Sequence, residues 1–426
     1  MGIREKYAEY MLGVAEKTVQ PIAITQAEGC RMVDEAGKEY LDCFAGIAVV
    51  NAGHNHPRIL QAAREQMEKL IHCCTYVYPS APVADLAERL AELTPGCLKR
   101  SFFSNSGAEA IEGAMRLAKQ ATGRKEVVAL GFSFHGRTVG TLSITGNYVR
   151  KKNSGPYLSG IAFATTPYCY RCPFKLTYPE CGCACAEAMQ ATLHQQTSGD
   201  VAAFIAEPLL GEGGIIVPPE EYFRIAVGIV RDWGGMFICD EVQSGFGRTG
   251  KLFAIEHYDV EPEIMTMAKG IADGFPVSAF TVRDDLGDVM QPGDHLSTFG
   301  GNPISCAAAL ANIAVLHDEK LIENAEERGE QLMAALRRVQ EKIEVVGDVR
   351  GKGLMIGIEL VKDRKSKEPA ADLAKATRNR LRERGILIGA GGAYGNVVRL
   401  QPPLCINSEE CERVTAELEN ALSQGA

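Results

Sequence analysis

Three short stretches carry residues whose types and positions suit chemistry. Lys269 follows the apolar run 264–268 and precedes Gly270, where a loop must turn. A lysine in apolar company is either paired or used as an amine. Desolvation lowers its pKa and makes it a better nucleophile for Schiff-base formation. Asp240 closes the run GMFICD (235–240), and Glu207 closes VAAFIAE (201–207). Acids at strand ends serve as metal ligands, as proton-transfer groups, as partners for a cationic ring nitrogen, or simply as helix caps. The third stretch, SNSGAEAIEGAMRLAKQATG (104–123), places Ser106, Gly107 and Ala108 at the start of an amphipathic helix. Small residues at a helix N-terminus leave backbone N–H groups free for an anion.

The elements that must position these residues can be read from hydrophobic patterning. EVVAL (126–130), VAAFIAE, GMFICDE (235–241) and VSAFTV (277–282) are continuous apolar runs of strand length. PRILQAAREQMEKLI (57–71) and ADLAERLAEL (84–93) repeat at helical spacing. Strands buried on both faces and separated by helices imply βαβ units and a mainly parallel sheet. In such sheets ligands bind at the carboxyl ends of the strands. Glu207 and Asp240 lie 33 residues apart and Asp240 and Lys269 lie 29 apart, which suits successive βαβ units. Anion cradle, acid and lysine converge on one cofactor, pyridoxal phosphate, which needs all three. A rival signal, GFGRTGK (245–251), matches the first part of a phosphate-binding P-loop. Leu252 stands where the magnesium-binding Ser or Thr belongs, which argues against a triphosphatase.

Several motifs together resemble the class III aminotransferases: DEVQSGFGRTG (240–250), MAKGIADGFP (267–276), SNSGAEAIEGAMRLA, FHGRT (134–138) and TFGGNP (298–303). The resemblance runs from DCFAGIAVVNAGHNHP (42–57) to VVRLQPPL (397–404). It implies a pyridoxal-phosphate enzyme of the aspartate-aminotransferase fold (fold type I). Lys269 would hold the cofactor as a Schiff base and shuttle protons, Asp240 would pair with the pyridinium nitrogen, and Glu207 would join them as a catalytic acid. Gln243 would contact the phenolic oxygen, Phe134 and Val242 would cover the two ring faces, and His135 would lie beside them. Ser106, Gly107 and Ala108 would cradle the phosphate. Thr298 would reach the phosphate of a neighbouring subunit, which implies a homodimer with shared active sites, with a tetramer as the larger alternative.

For substrate, the resemblance points to 4-aminobutyrate aminotransferases. Ile47 would line the pocket, Arg137 would grip the distal carboxylate of an ω-amino acid, and Arg399 would hold the α-carboxylate of 2-oxoglutarate. Glu212 would pair with Arg399 when no second carboxylate is present. A planar guanidinium grips a carboxylate bidentately, and a movable acid lets one pocket take charged and uncharged groups. The alternatives are enzymes acting on β-alanine or β-aminoisobutyrate, alanine–glyoxylate, ornithine or acetylornithine, and racemases of the same fold.

One segment departs from that pattern. Residues 169–185 read CYRCPFKLTYPECGCAC, with Cys169, Cys172, Cys181, Cys183 and Cys185. This suggests a structural zinc or iron–sulfur centre, or else a thiol-rich loop, either reduced or closed by a disulfide.

The remaining arithmetic sets bounds. The chain has 426 residues, 46% hydrophobic and 23% charged, with a net charge of −9. An acidic chain with no basic block is a poor electrostatic partner for nucleic acid. No apolar stretch reaches the roughly 18 residues of a membrane span. MGIREKYAEY carries no apolar core and does not read as a secretory signal, so a cytoplasmic protein is expected. The fold class expected is α/β. It comprises an N-terminal segment (1–55), a large cofactor domain (56–310) and a smaller C-terminal α/β domain (311–426). A long helix from Cys306 is expected to break near His317. The last helix is expected to open on a capping box of Asn407 and Glu410.

Overall fold

The computed structural model describes residues 1–13 and 20–423; the parts of the expected outer segments at 14–19 and 424–426 lie outside them. Three sheets organise the described residues. The first is built from β1 (Ile24–Glu28), β2 (Arg31–Asp34) and β3 (Glu39–Asp42). β2 and β3 form the hairpin expected from the alternation in 31–40, antiparallel with Val33 opposite Glu39. Asp34 Oδ1 accepts from the backbone N–H groups of Ala36 and Lys38, which closes the turn.

The central sheet takes β4 (Leu98–Ser104), β5 (Glu126–Leu130), β6 (Ile161–Ala164), β7 (Val201–Ala206), β8 (Met236–Asp240), β9 (Ile264–Met267) and β10 (Ser278–Arg283) in the order β4-β10-β9-β8-β7-β5-β6. β6, β5, β7, β8 and β9 are mutually parallel, and every residue of β7 is buried, as a strand covered on both faces requires. β10 runs antiparallel to both β9 and β4. Only residues 268–277 join β9 to β10, fewer than a parallel crossover needs, so the chain must turn back. β7, β8 and β9 are neighbours. Their carboxyl ends therefore bring Glu207, Asp240 and Lys269 to one edge of the sheet.

A third sheet, antiparallel, has the order β11 (Val346–Lys352), β12 (Met355–Leu360), β15 (Val397–Leu400), β14 (Gly389–Gly391). β13 (Ile386–Leu387) lies parallel to β3, which joins the N-terminal sheet to the C-terminal part of the chain. The long helix does break: Pro303–Asp318 ends, Lys320 takes a left-handed φ of 54°, and Leu321–Lys342 begins. Asn407 and Glu410 form the expected reciprocal caps at 3.0 and 2.9 Å. Arg248 is fully buried and ties three distant segments together. It donates to Asn51 Oδ1 at 2.5 Å, to the Leu354 carbonyl at 3.3 Å and to the Pro402 carbonyl. Among the described residues no helix is long and apolar enough to cross a membrane.

Candidate active site

A cavity of about 170 Å³ opens at the carboxyl ends of β7, β8 and β9. Gly107, Ala108, Phe134, His135, Glu207, Glu212, Asp240, Val242, Gln243 and Lys269, all expected site residues, line it. Ile111 and Gly136 complete the wall.

Lys269 follows β9 with a left-handed φ of 45°, a conformation that side-chain-bearing residues rarely hold. Burial lowers its ammonium to about 8, against the opposing pull of the Glu207, Asp240 and Glu212 carboxylates. Asp240 ends β8, and its Oδ2 lies 2.7 Å from His135 Nδ1. Its Oδ1 accepts from the Val242 N–H at 3.1 Å and from Thr266 Oγ1 at 3.4 Å. Asp240 is thus a buried carboxylate fixed by its neighbours, with His135 behind it. The other ring nitrogen of His135, Nε2, is buried and unpartnered among the described residues.

Glu207 has both oxygens engaged by backbone. Oε1 accepts from the Phe134 N–H and Oε2 from the Gly211 N–H, each at 2.9 Å. It thereby clamps together the loop that carries Phe134 and Arg137 and the loop that carries Glu212. Burial, reinforced by the Asp240 charge, pushes its carboxyl up to about 7.

The helix Gly107–Thr122 starts at the cavity, with Ser106 as its N-cap accepting from the Glu109 N–H at 3.3 Å. A Cβ on Gly107 would meet Val242 Cγ1 at 2.8 Å, so only glycine lets the helix start approach that side chain. Gly136 plays the same part opposite: at φ +139° its missing Cβ would lie 2.8 Å from the Ala108 Cβ. Free N–H groups at this helix start suit an anion.

Arg399, on β15, is 5% exposed, and its Nη1 donates to Glu212 Oε2 at 3.0 Å. The guanidinium lies over the Phe44 ring at 5.5 Å. Burial pushes the Glu212 carboxyl up, but Arg399 and Arg150 outweigh it and hold the group below its ordinary value. Arg150 was not foreseen from the sequence. It is a second guanidinium on the same carboxylate, from the short helix Tyr148–Lys151. Arg137 is exposed, with its guanidinium 5.6 Å from the Phe134 ring. Ile47 is 46% exposed at a left-handed φ of 73°, in a turn shaped by Asp42 Oδ1 accepting from the Phe44 and Ala45 N–H groups. Gln243 Oε1 accepts from Gln401 Nε2 at 3.3 Å. Thr298 is exposed and lies outside the cavity lining.

A family model for Aminotransferase class-III matches residues 13–422. The chain belongs to the class III aminotransferases. This aminotransferase is 40% identical over 405 residues, 95% of its own length and 83% of the relative's, to an alanine–glyoxylate aminotransferase 2 homologue, mitochondrial, of Arabidopsis thaliana. It is 39% identical over 424 residues to a leucine/methionine racemase of Thermococcus litoralis, covering 99% and 95% of the two chains. Among solved structures it matches an amine transaminase from an uncultivated Pseudomonas species in the PLP-bound form. That match has a TM-score of 0.91 at 32% identity, with 98% of each chain covered.

The cysteine-rich segment of this aminotransferase corrects the expectation of a zinc or iron–sulfur centre. Among the described residues no group of three or more His, Cys, Asp or Glu is placed to hold a metal ion. Cys169 is exposed and Cys172 and Cys181 are half-buried, whereas Cys183 and Cys185 turn inward at the start of the helix Ala184–Gln196. Cys169, Cys172, Cys181 and Cys185 share a crevice with Tyr168, Phe174 and Leu176. Zinc needs its ligands converging on one point about 2.3 Å from each sulfur. All five are free thiols, so the disulfide alternative is corrected as well.

Proposed function

We propose that this chain is a pyridoxal-phosphate-dependent transaminase of ω-amino acids, 4-aminobutyrate first among them, with 2-oxoglutarate or pyruvate as amino acceptor. The observation that carries this reading is the ion pair of Arg399 with Glu212, which lines the cavity together with Lys269 and Asp240. A carboxylate-binding arginine closed by a neighbouring acid is what an enzyme needs if its two substrates differ in charge at the same place.

The residues present fit pyridoxal phosphate. The Cβ-free approach of Gly107 leaves room at an anion-binding helix start, Asp240 offers a fixed carboxylate, and Lys269 offers an amine with lowered basicity. Similarity to the PLP-bound transaminase supports the same cofactor. When bound, it supplies an electron sink for the pair left at the donor carbon.

The chain's own residues do the rest. Asp240 would accept the ring N–H and keep it protonated, and His135 orients that carboxylate. Ser106, Gly107 and Ala108 would hold the phosphate at the helix start. Phe134 and Val242 would cover the ring, and the carboxamide of Gln243, steadied by Gln401, would meet its phenolic oxygen. Lys269 Nζ, on the cavity wall, would take the proton from the amine-bearing carbon of the donor and return one to the carbon of the acceptor. Glu207 contributes by holding two substrate-bearing loops together. Arg137 grips the distal carboxylate and Ile47 faces the substrate. The exposure of Thr298, away from its own cavity, supports a homodimer in which it serves the neighbouring subunit.

A half-reaction screen tests the reading. Single amino acids are mixed with the enzyme and the cofactor absorbance is followed. Rapid reaction with 4-aminobutyrate and none with ornithine is expected; the reverse overturns the substrate assignment. The likeness to a leucine/methionine racemase supports one other reading, racemisation at the same lysine. Loss of optical rotation in leucine without any oxo acid distinguishes it.

A further inference from the structure

The carboxylate of Glu212 sits between two guanidiniums. Oε2 accepts from Nη1 of Arg399 at 3.0 Å, and Oε1 accepts from Nη2 of Arg150. The two arginines differ. Arg399 has a side chain 6% exposed, and its Nε is buried with no partner among the described residues. Arg150 is 33% exposed and reaches Glu212 from the other side, on a helix only four residues long.

The backbone that carries Glu212 is held on both sides. The Gly211 N–H donates to Glu207, while Arg350 donates from Nη2 to the Gly214 carbonyl at 2.7 Å and from Nε to the Ile215 carbonyl at 3.0 Å. A loop pinned in this way leaves Glu212 only side-chain rotation. A carboxylate that lets go of Arg399 inside this pocket needs another cation, because an unpaired buried charge is costly. Arg150 is already in contact.

We propose that Arg150 is a specificity-determining residue: it retains Glu212 when the carboxylate of an oxo-acid substrate takes Arg399. The inference rests on the Arg399–Glu212 role under the proposed function and adds the group that makes their separation possible. With Arg150 present, the carboxylate of Glu212 exchanges one of two existing partners and stays paired. Without it, Glu212 keeps Arg399 to itself, and an incoming carboxylate must compete with a buried ion pair. The pocket would then favour substrates that carry no second carboxylate.

The test uses the holoenzyme and glutarate, an unreactive dicarboxylate, with binding measured by calorimetry. Arg150→Gln is expected to weaken glutarate about tenfold, the loss of one charge-assisted hydrogen bond. Arg150→Lys, which keeps the charge, is expected to restore most of that affinity. Glu212→Gln alone is expected to tighten glutarate, since the competing charge is gone. In the Glu212→Gln background, Arg150→Gln is expected to change affinity less than about twofold. An undiminished loss in that background overturns the proposal, because Arg150 would then act on the ligand or the fold directly. Tightening by Glu212→Gln with no effect of Arg150→Gln overturns the Arg150 role alone. No effect of Glu212→Gln removes the Arg399–Glu212 reading and the proposal with it.

Discussion

The amine of Lys269 should titrate far below an ordinary lysine. Burial lowers its ammonium to about 8, and the nearby Arg399 charge pushes the same way. At pH 7 about one amine in ten is then neutral, against about one in three thousand for a lysine at 10.5. That is a gain of about 300-fold in the form able to attack a carbonyl. Competitive acetylation measures this without relying on turnover. Protein freed of cofactor is labelled with trace acetic anhydride from pH 6 to pH 10, and the peptide containing Lys269 is quantified by mass spectrometry. The labelling midpoint is expected near pH 8. Glu207→Gln supplies the perturbation. The Glu207 carboxylate is the largest influence holding the ammonium up, so its loss should move the midpoint below 8. A midpoint at 10 or above, or an upward shift in Glu207→Gln, would refute the account of how the cavity activates this lysine.

Two further predictions follow from packing and burial. Gly107→Ala places a methyl 2.8 Å from Val242 Cγ1, so Val242 must move within the cavity wall. Cofactor affinity is expected to fall about tenfold by equilibrium dialysis, the cost of a modest overpacking; unchanged affinity would mean the wall yields freely. Burial raises the carboxyls of Glu241 and Asp273, like that of Glu207, to about 7. Each binds its proton more tightly folded than unfolded, so the stability this brings is full below the unfolded value and is lost as pH rises through 7. Between pH 6 and pH 8 each such group removes about 1 kcal/mol. Thermal unfolding should therefore show a Tm lower at pH 8 than at pH 6, and Glu241→Gln should shrink the difference; an equal drop in both proteins counts against it.

The sequence made some parts of this site legible because their signals are local. The two-sided burial of β7, β8 and β9 writes itself as continuous apolar runs, and each run ends on the residue that matters. The capping box at Asn407 and Glu410 lies within three residues and was equally plain. Arg150 carried no such signal: it lies 62 residues from Glu212, on a short helix beyond the motif that drew attention to Arg137. The antiparallel turn of β10 was hidden because strand length says nothing about direction; the short link 268–277 decides it. The cysteines misled for the opposite reason. Their spacing is a local pattern, but a metal site depends on where the side chains converge, and the left-handed turn at Cys183 sends the last two inward.

Arg248 has a consequence for how the protein is made. Its partners lie at residues 51, 354 and 402, so the two terminal nitrogens cannot find all their acceptors until nearly the whole chain has been synthesised. A nascent chain that stopped at the end of the central sheet would have to bury that charge half-satisfied or leave its pocket open. The set of contacts that ties β15 and the loop after it to the central part of the chain is thus completed late, after the last strand arrives.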